Sequence, residues 1–454
     1  VIIFITTLLY IGLKTKSKSN ESSYLFIGRK LTLFPFIATL VSTWYGGILE
    51  IGRFSYQNGI VTWIIFGFSY YLAAYIFSNF IAPKIIHKKV VTIPEYFYKN
   101  YGKLSASISI IIVLFIASPA PYLKILANIF EYLWEISHLT AIIISALLSL
   151  IYIFNGGFNA VIKTDKIQFV LMYAGFIIIL SKAYLTYGGI DFLRTNSPEN
   201  ALKIPGNLNW NTIFIWCIIA LVTFIDPGFY QRTFSGQSLK TVQKGIKLSI
   251  LCWIIFDGIT IFTGIYASAI LLDPIDGNPY LILSETLLSP FLHGIFMVSL
   301  ISIVLSTIDS FSFISAYTIG KDLIAIQKIS FFKHLSMKQK TQIGLITTSI
   351  ISIFISYKFN YVINIWYTSG SFAVSILLLP MILSFYNKRL LYPNINMISS
   401  LSITTIWFFY GIIHSKYGFP VYPFNLEPMY PGLITSIFIW IACEFIVRFK
   451  DTYS

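Results

Sequence analysis

Charge is what this sequence has least of. Only 11% of its 454 residues are Asp, Glu, Lys or Arg, while 56% are hydrophobic and the mean hydropathy is +0.76. Soluble domains carry roughly a quarter charged residues, so a soluble globular chain is excluded. Cysteine is scarce as well. Cys217, Cys252 and Cys443 show neither metal-ligand spacing nor a disulfide framework, and they read as packing residues. No connection contains a Gly-rich phosphate loop or a nucleophile elbow, which argues against an ATP-driven pump and against an enzyme. Nor is any connection long enough for a second soluble domain. The short alternating segments of a membrane β-barrel are missing too.

What the chain has instead is a succession of apolar runs long enough to cross a bilayer. Thirteen spans are expected: 1–13, 32–52, 59–82, 104–129, 138–157, 166–187, 211–228, 248–272, 291–318, 342–357, 362–386, 394–414 and 429–447. The fold class is therefore an all-α integral membrane protein. Of the 32 Lys and Arg, 25 fall in alternate connections, beginning with 14–31. The positive-inside rule puts those connections in the cytoplasm, with the N-terminus outside and the C-terminus inside. The net charge of +14 is a topology signal and not a sign of nucleic acid. A signal-peptide core at 1–13 would need a small-residue cleavage site, but Lys14, Lys16 and Lys18 follow.

Two spans are interrupted. The second reads ATLVSTWYGGILEIG, with Gly46 and Gly47 adjacent at its middle, and the seventh reads IFIWCIIALVTFIDPGFYQR, with Asp226-Pro227-Gly228 near its cytoplasmic end. Each opens a set of five spans, 2–6 and 7–11, which is the layout of an inverted five-plus-five repeat. Discontinuous helices at matched places point to a transport site, because freed carbonyls at membrane depth can hold a cation. The expected divisions are 1–31 for a first flanking helix and loop, 32–190 and 211–386 for the two repeats, and 387–454 for two further flanking helices. Close helix packing at the Gly pair, and a simple turn at Asp-Pro-Gly, remain the plainer readings.

The ninth span, SLISIVLSTIDSFSFISAY, carries hydroxyls in oil. Ser299, Ser302, Ser306 and Ser310 share one helical face, with Thr307 beside it and Asp309 toward its cytoplasmic end. Neutral oxygens with at most one carboxylate suit a small hard cation that must shed water. The competing role is interhelical glue, at about 0.6–2 kcal/mol per hydroxyl.

Six stretches carry a resemblance: SSYLFIGRKL (22–31), ATLVSTWYGG (38–47), VVTIPEYFYKNYG (90–102), GGFNAVIKTDKIQ (156–168), DPGFYQRTFSGQS (226–238) and LSTIDSFSFISAYTIGKDL (305–323). In this order they resemble the sodium:solute symporter family, over about residues 1 to 385. The resemblance implies a LeuT-like fold and import of sodium with a small polar organic solute by alternating access, in a bacterial inner (plasma) membrane. It places sodium between the second and ninth spans, with the hydroxyls of Ser306 and Thr307 and the carbonyls of Ile303, Ser42 and Tyr45 as ligands. The family's acid in the fifth core helix falls on Asp165. Asp309 stands where members with a second sodium have a serine, so a second cation or a proton at Asp165, Asp309 and Ser310 are both open. Small solute, sodium and lipid are the partners implied, with no nucleic acid and no obligatory protein.

For the solute, the pocket is expected among the second, third, fourth, seventh, ninth and eleventh spans. Candidates are Trp44, Glu50, Arg53, Lys124 and Trp366, with Tyr45 beside them. Arg53 and Lys124 could hold a carboxylate, which favours an organic or amino acid over sugar. By resemblance, a position that is polar in sugar carriers is Leu49. Arg53 could equally pair with Glu50 three residues earlier, and Lys124 could snorkel to the outer interface. Asp257 reads as a relay or as a helix anchor, and Arg232 as an inner-gate ion pair. A proton-coupled carrier using Asp165, Asp309 or Asp257 is the first rival. A membrane sensor is the second, and it would need a partner chain because only RFKDTYS follows the last span. A channel would need a continuous polar pore, and the polar residues gather at one depth instead.

Overall fold

The computed structural model describes residues 1–15, 21–26, 28–86, 88, 92–271, 275, 277–327, 329–358, 362–385, 390–415 and 420–453. Residues 16–20 of the first basic connection and 386–389 of the sixth, the repeat boundary at 386 among them, lie outside the described residues. The described chain is helical throughout, with no strand beyond one isolated parallel bridge between Leu31 and Gly236.

The expected count of thirteen spans is not confirmed in full. Among the described residues, ten helices are long and apolar enough to cross a membrane, and eleven if one bent pair is a single span. Helices do form over both remaining segments. Ile2–Lys14 has only 13 residues, and Met337–Lys358 is too polar for its length, with Lys338, Lys340 and Gln342 in its first turns.

Six helices position the site. The second span divides into α1 (Leu33–Ser42), a 3-10 turn over Thr43–Tyr45, and α2 (Ile48–Asn58). The two halves meet at 59°. Gly46 and Gly47 make that bend and also admit neighbours. A Cβ on Gly46 would lie 2.5 Å from Thr307 Cβ and from Tyr122 Cδ1, and one on Gly47 would lie 1.7 Å from the Trp366 ring. α3 (Phe158–Tyr187) follows, then α4 (Pro227–Ser235) and α5 (Leu239–Ile270). α6 (Pro290–Tyr317) is the hydroxyl helix.

The expected interruption at Asp226 is also present. A helix over Trp210–Ile219 tightens to a 3-10 stretch, Asp226 turns extended, and its carboxylate caps α4 by accepting from Phe229 N at 2.8 Å. Pro227 then occupies the first helical position, where a missing N–H costs nothing. The C-terminal end of α4 is tied to the first loop through Leu31, whose N–H donates to Ser235 O and whose carbonyl accepts from Gln237 N.

α6 lies at the centre, with every residue from Ser299 to Ser310 buried. In lipid, apolar area alone does not bring helices together, so small residues and hydroxyls must. Gly175 of α3 meets Ser299 so closely that an added Cβ would lie 2.3 Å from Ser299 Cβ, and Ser299 Oγ donates to Met172 O at 3.2 Å. Ser302 bonds back to Val298 O within its own helix. These two serines of the stripe are packing groups.

Candidate functional site

The other half of the stripe faces a polar cluster. Ser306 Oγ donates to Asp165 Oδ1 at 2.7 Å and lies 2.8 Å from Ser42 Oγ. Thr307 Oγ1 sits 2.9 Å from Thr43 O and 3.3 Å from Ile303 O. Asp165, from α3, also accepts from Thr39. The end of α1, its 3-10 turn, the middle of α6 and the start of α3 therefore converge on one patch of hydroxyls, carbonyls and a single carboxylate, all buried. Ser42, Ile303, Ser306, Thr307 and Asp165 are brought together. Tyr45 stands at the edge of the same turn, with its hydroxyl turned to Trp253 O at 3.2 Å.

Of the residues considered for a second cation, Ser310 joins the cluster and Asp309 does not. Asp309 accepts from Tyr152 on the helix His138–Gly156, so its carboxylate is taken up by that helix and not by the cluster. Ser310 is held by Arg232. That guanidinium is 1% exposed, and its Nη2 lies 2.7 Å from Ser310 Oγ, 2.8 Å from Thr43 Oγ1 and 3.1 Å from Thr39 Oγ1. Its carbon sits 5.5 Å from the Phe158 ring centre. Arg232 is thus not an ion pair at an inner mouth; among the described residues no carboxylate is within salt-bridge distance of it. It is a buried cation among hydroxyls, with Asp165 and Asp226 bearing on it from further away.

The sequence reading missed Thr39 and Thr43, whose i, i+4 spacing from α1 into its turn was the available signal, and it put Arg232 at a gate. Gly46 belongs to the same site because its missing Cβ leaves room for Thr307. Gly46→Ala is expected to push Thr307 from the Thr43 carbonyl and to cost about 1–3 kcal/mol by overpacking. The check is thermal unfolding of the purified variant. An unchanged melting temperature would mean the contact relaxes freely.

Beside the polar cluster lies a cavity of about 160 Å³, at the level of both helix breaks. It is lined from the six expected spans and, through Asp257, from the eighth as well. Trp44 and Trp366 line it, as do Asp226 and Asp257. Glu50, Arg53 and Lys124 do not. Arg53 pairs with Glu50 at 3.2 Å. Lys124 reaches His138 Nε2 at 3.3 Å and Ser356 O at 3.4 Å. Cys217 accepts from Ser69 Oγ, and all three cysteines are free thiols.

A model of the Sodium:solute symporter family matches residues 24–392. The sodium/proline symporter of Escherichia coli (strain K12) is 24% identical, over 77% of this chain and 74% of that protein. The osmoregulated proline transporter of Bacillus subtilis (strain 168) is 23% identical, over 96% and 93%. Human sodium-coupled monocarboxylate transporter 1 is 24% identical, over 66% and 53%. Among solved structures, the substrate-bound outward-open state of a Na+-coupled sialic acid symporter superposes with a TM-score of 0.76 at 17% identity, covering 97% of this chain and 95% of that one. The fold is the LeuT-like one that the helix breaks and the resemblance implied.

Proposed function

Because the chain belongs to the sodium:solute symporter family, we propose that it imports a small polar organic solute together with sodium by alternating access, an amino acid or organic acid being favoured over a sugar. The observation that carries this is the meeting of Thr307 Oγ1 with the Thr43 carbonyl, 2.9 Å apart, where the broken second span crosses the hydroxyl helix. In that arrangement the hydroxyls of Ser306 and Thr307 are satisfied by protein oxygens. A sodium ion would take their lone pairs together with carbonyls of the turn, here Ser42 and Tyr45, and of Ile303. All are hard oxygen donors of the kind a monovalent cation needs.

One sodium per cycle is the stoichiometry we favour. Where a second cation would sit, against Ser310 and Thr43, the Arg232 guanidinium already supplies the charge. Asp165 then serves one sodium and one arginine. With the basic connections cytoplasmic, sodium and solute enter from outside, and rocking of the two five-helix repeats about the breaks releases both inward. One charge moving through 100 mV supplies about 2.3 kcal/mol. A tenfold sodium gradient adds about 1.4 kcal/mol. Together they sustain roughly 500-fold accumulation of a neutral solute.

The test is thermal unfolding of the purified protein, titrated with sodium chloride against potassium chloride. A ligand that binds only the folded state raises its apparent stability. A sodium-specific rise fitted by a single site is expected. An equal response to both salts would remove sodium as the coupling ion and leave a proton on Asp165, Asp309 or Asp257.

A further inference from the structure

We propose that Asp257 is the counter-ion for a positively charged nitrogen on the transported solute, and that the central cavity is an aromatic cage for that nitrogen. This rests on the transport reading above and narrows its solute.

The charged side chains lining the cavity are Asp226 and Asp257, and no Lys, Arg or His is among them. Asp226 is committed elsewhere, since Oδ1 caps α4 and Arg232 lies near enough to compensate it. Asp257 has no such partner. It is 4% exposed on α5 and accepts from the Tyr71 hydroxyl, and among the described residues no cationic side chain comes within salt-bridge distance. A carboxylate at membrane depth that faces a cavity, with only hydroxyl donors around it, is short of one positive charge.

The cavity walls are built for the same charge. Trp44, Tyr70, Trp216, Tyr122, Phe311 and Trp366 all line it. The Trp44 and Tyr70 rings lie 5.2 Å apart, and those of Tyr122 and Trp366 lie 6.0 Å apart. Aromatic faces, tryptophan above all, attract cations, and cages of them select ammonium groups. A solute whose only charge is a carboxylate would meet these negative faces and two aspartates with nothing to offset the repulsion. Arg53, the cationic candidate from the sequence, is bound to Glu50 outside the cavity, and its side chain is 41% exposed. A sugar would need a dense set of polar groups, and the lining is mostly aromatic and aliphatic. The nitrogen could belong to a plain organic cation or to a zwitterion such as an amino acid.

The experiment is thermal unfolding of the full chain in detergent at saturating sodium, with choline, ethylammonium, L-proline, L-lactate and D-glucose as probes. It is repeated for Asp257→Asn and for Trp44→Leu, which keeps the carboxylate and opens the cage. At least one nitrogen-bearing probe is expected to raise the melting temperature. Its apparent affinity should fall at least tenfold in both variants, while their response to sodium alone persists. Choline or ethylammonium acting without proline assigns a plain cation, and proline acting alone assigns an amino acid. A shift with lactate or glucose, or none with any nitrogen-bearing probe, overturns the proposal. So does full affinity in Asp257→Asn. Loss of the sodium response in the wild-type protein would instead fault the symport reading, because that response is measured without solute.

Discussion

Thr307→Ala is expected to raise the sodium concentration for half-maximal transport by about tenfold or more, equivalent to about 1.4 kcal/mol of lost ion affinity. Thr307 is the hydroxyl that α6 brings to the broken second span, with Oγ1 at 2.9 Å from Thr43 O. Without it a sodium ion loses one of few oxygens at a site that is wholly buried and where water cannot replace it. In the ion-free state the change also leaves the Thr43 carbonyl short of a donor, which costs about 1–3 kcal/mol. The variant should therefore melt lower without sodium and gain less from it. Thr307→Ser restores the oxygen and should restore both. Sodium titrations of uptake into proteoliposomes and of thermal unfolding are the measurements. If Thr307→Ala kept the wild-type sodium dependence in both, the ion would have to bind somewhere other than this crossing.

Arg232→Gln is expected to do more damage to the fold and to most of the transport. The guanidinium joins three segments, α4 by its own backbone, α1 and its turn through Thr39 and Thr43, and α6 through Ser310. Hydrogen bonds from a charged donor contribute about 1.5–3 kcal/mol each. Removing the cation also leaves Asp165 with less positive charge near it, which destabilises the buried carboxylate further. Arg232→Lys keeps the charge but not the planar fork and should recover only part. A sharper reading comes from sodium. With the guanidinium gone, Ser310, Thr43 and Asp165 are free to take a second ion, so the sodium dependence of stability should steepen from one site toward two. A variant as stable as the wild type, with unchanged single-site sodium dependence, would mean that Arg232 neither braces the site nor fills a cation position.

The sequence was sufficient where local chemistry decides. Low charge and long apolar runs fix a helical membrane protein, and Gly46-Gly47 and Asp226-Pro227-Gly228 marked where two helices are interrupted, because one lacks side-chain restraint and the other lacks a donor. Hydroxyl periodicity marked α6 as the polar helix. It did not say which hydroxyl does what. Ser299, Ser302, Ser306 and Ser310 repeat along one face, yet Ser299 packs on Gly175, Ser302 bonds its own backbone, Ser306 meets Asp165 and Ser310 meets Arg232. Neighbours along a chain share a period, but partners across a bundle depend on the rotation and crossing of helices far apart in sequence. The same holds for the acids. Asp165 and Asp309 were equal candidates until the packing turned one to Ser306 and the other to Tyr152. Arg232 reaches back 193 residues to Thr39, and Asp257 reaches 186 to Tyr71, contacts that no local pattern encodes. The class of the protein is thus written in its composition and helix breaks, while the charge that its cavity presents was decided only when seven spans closed around it.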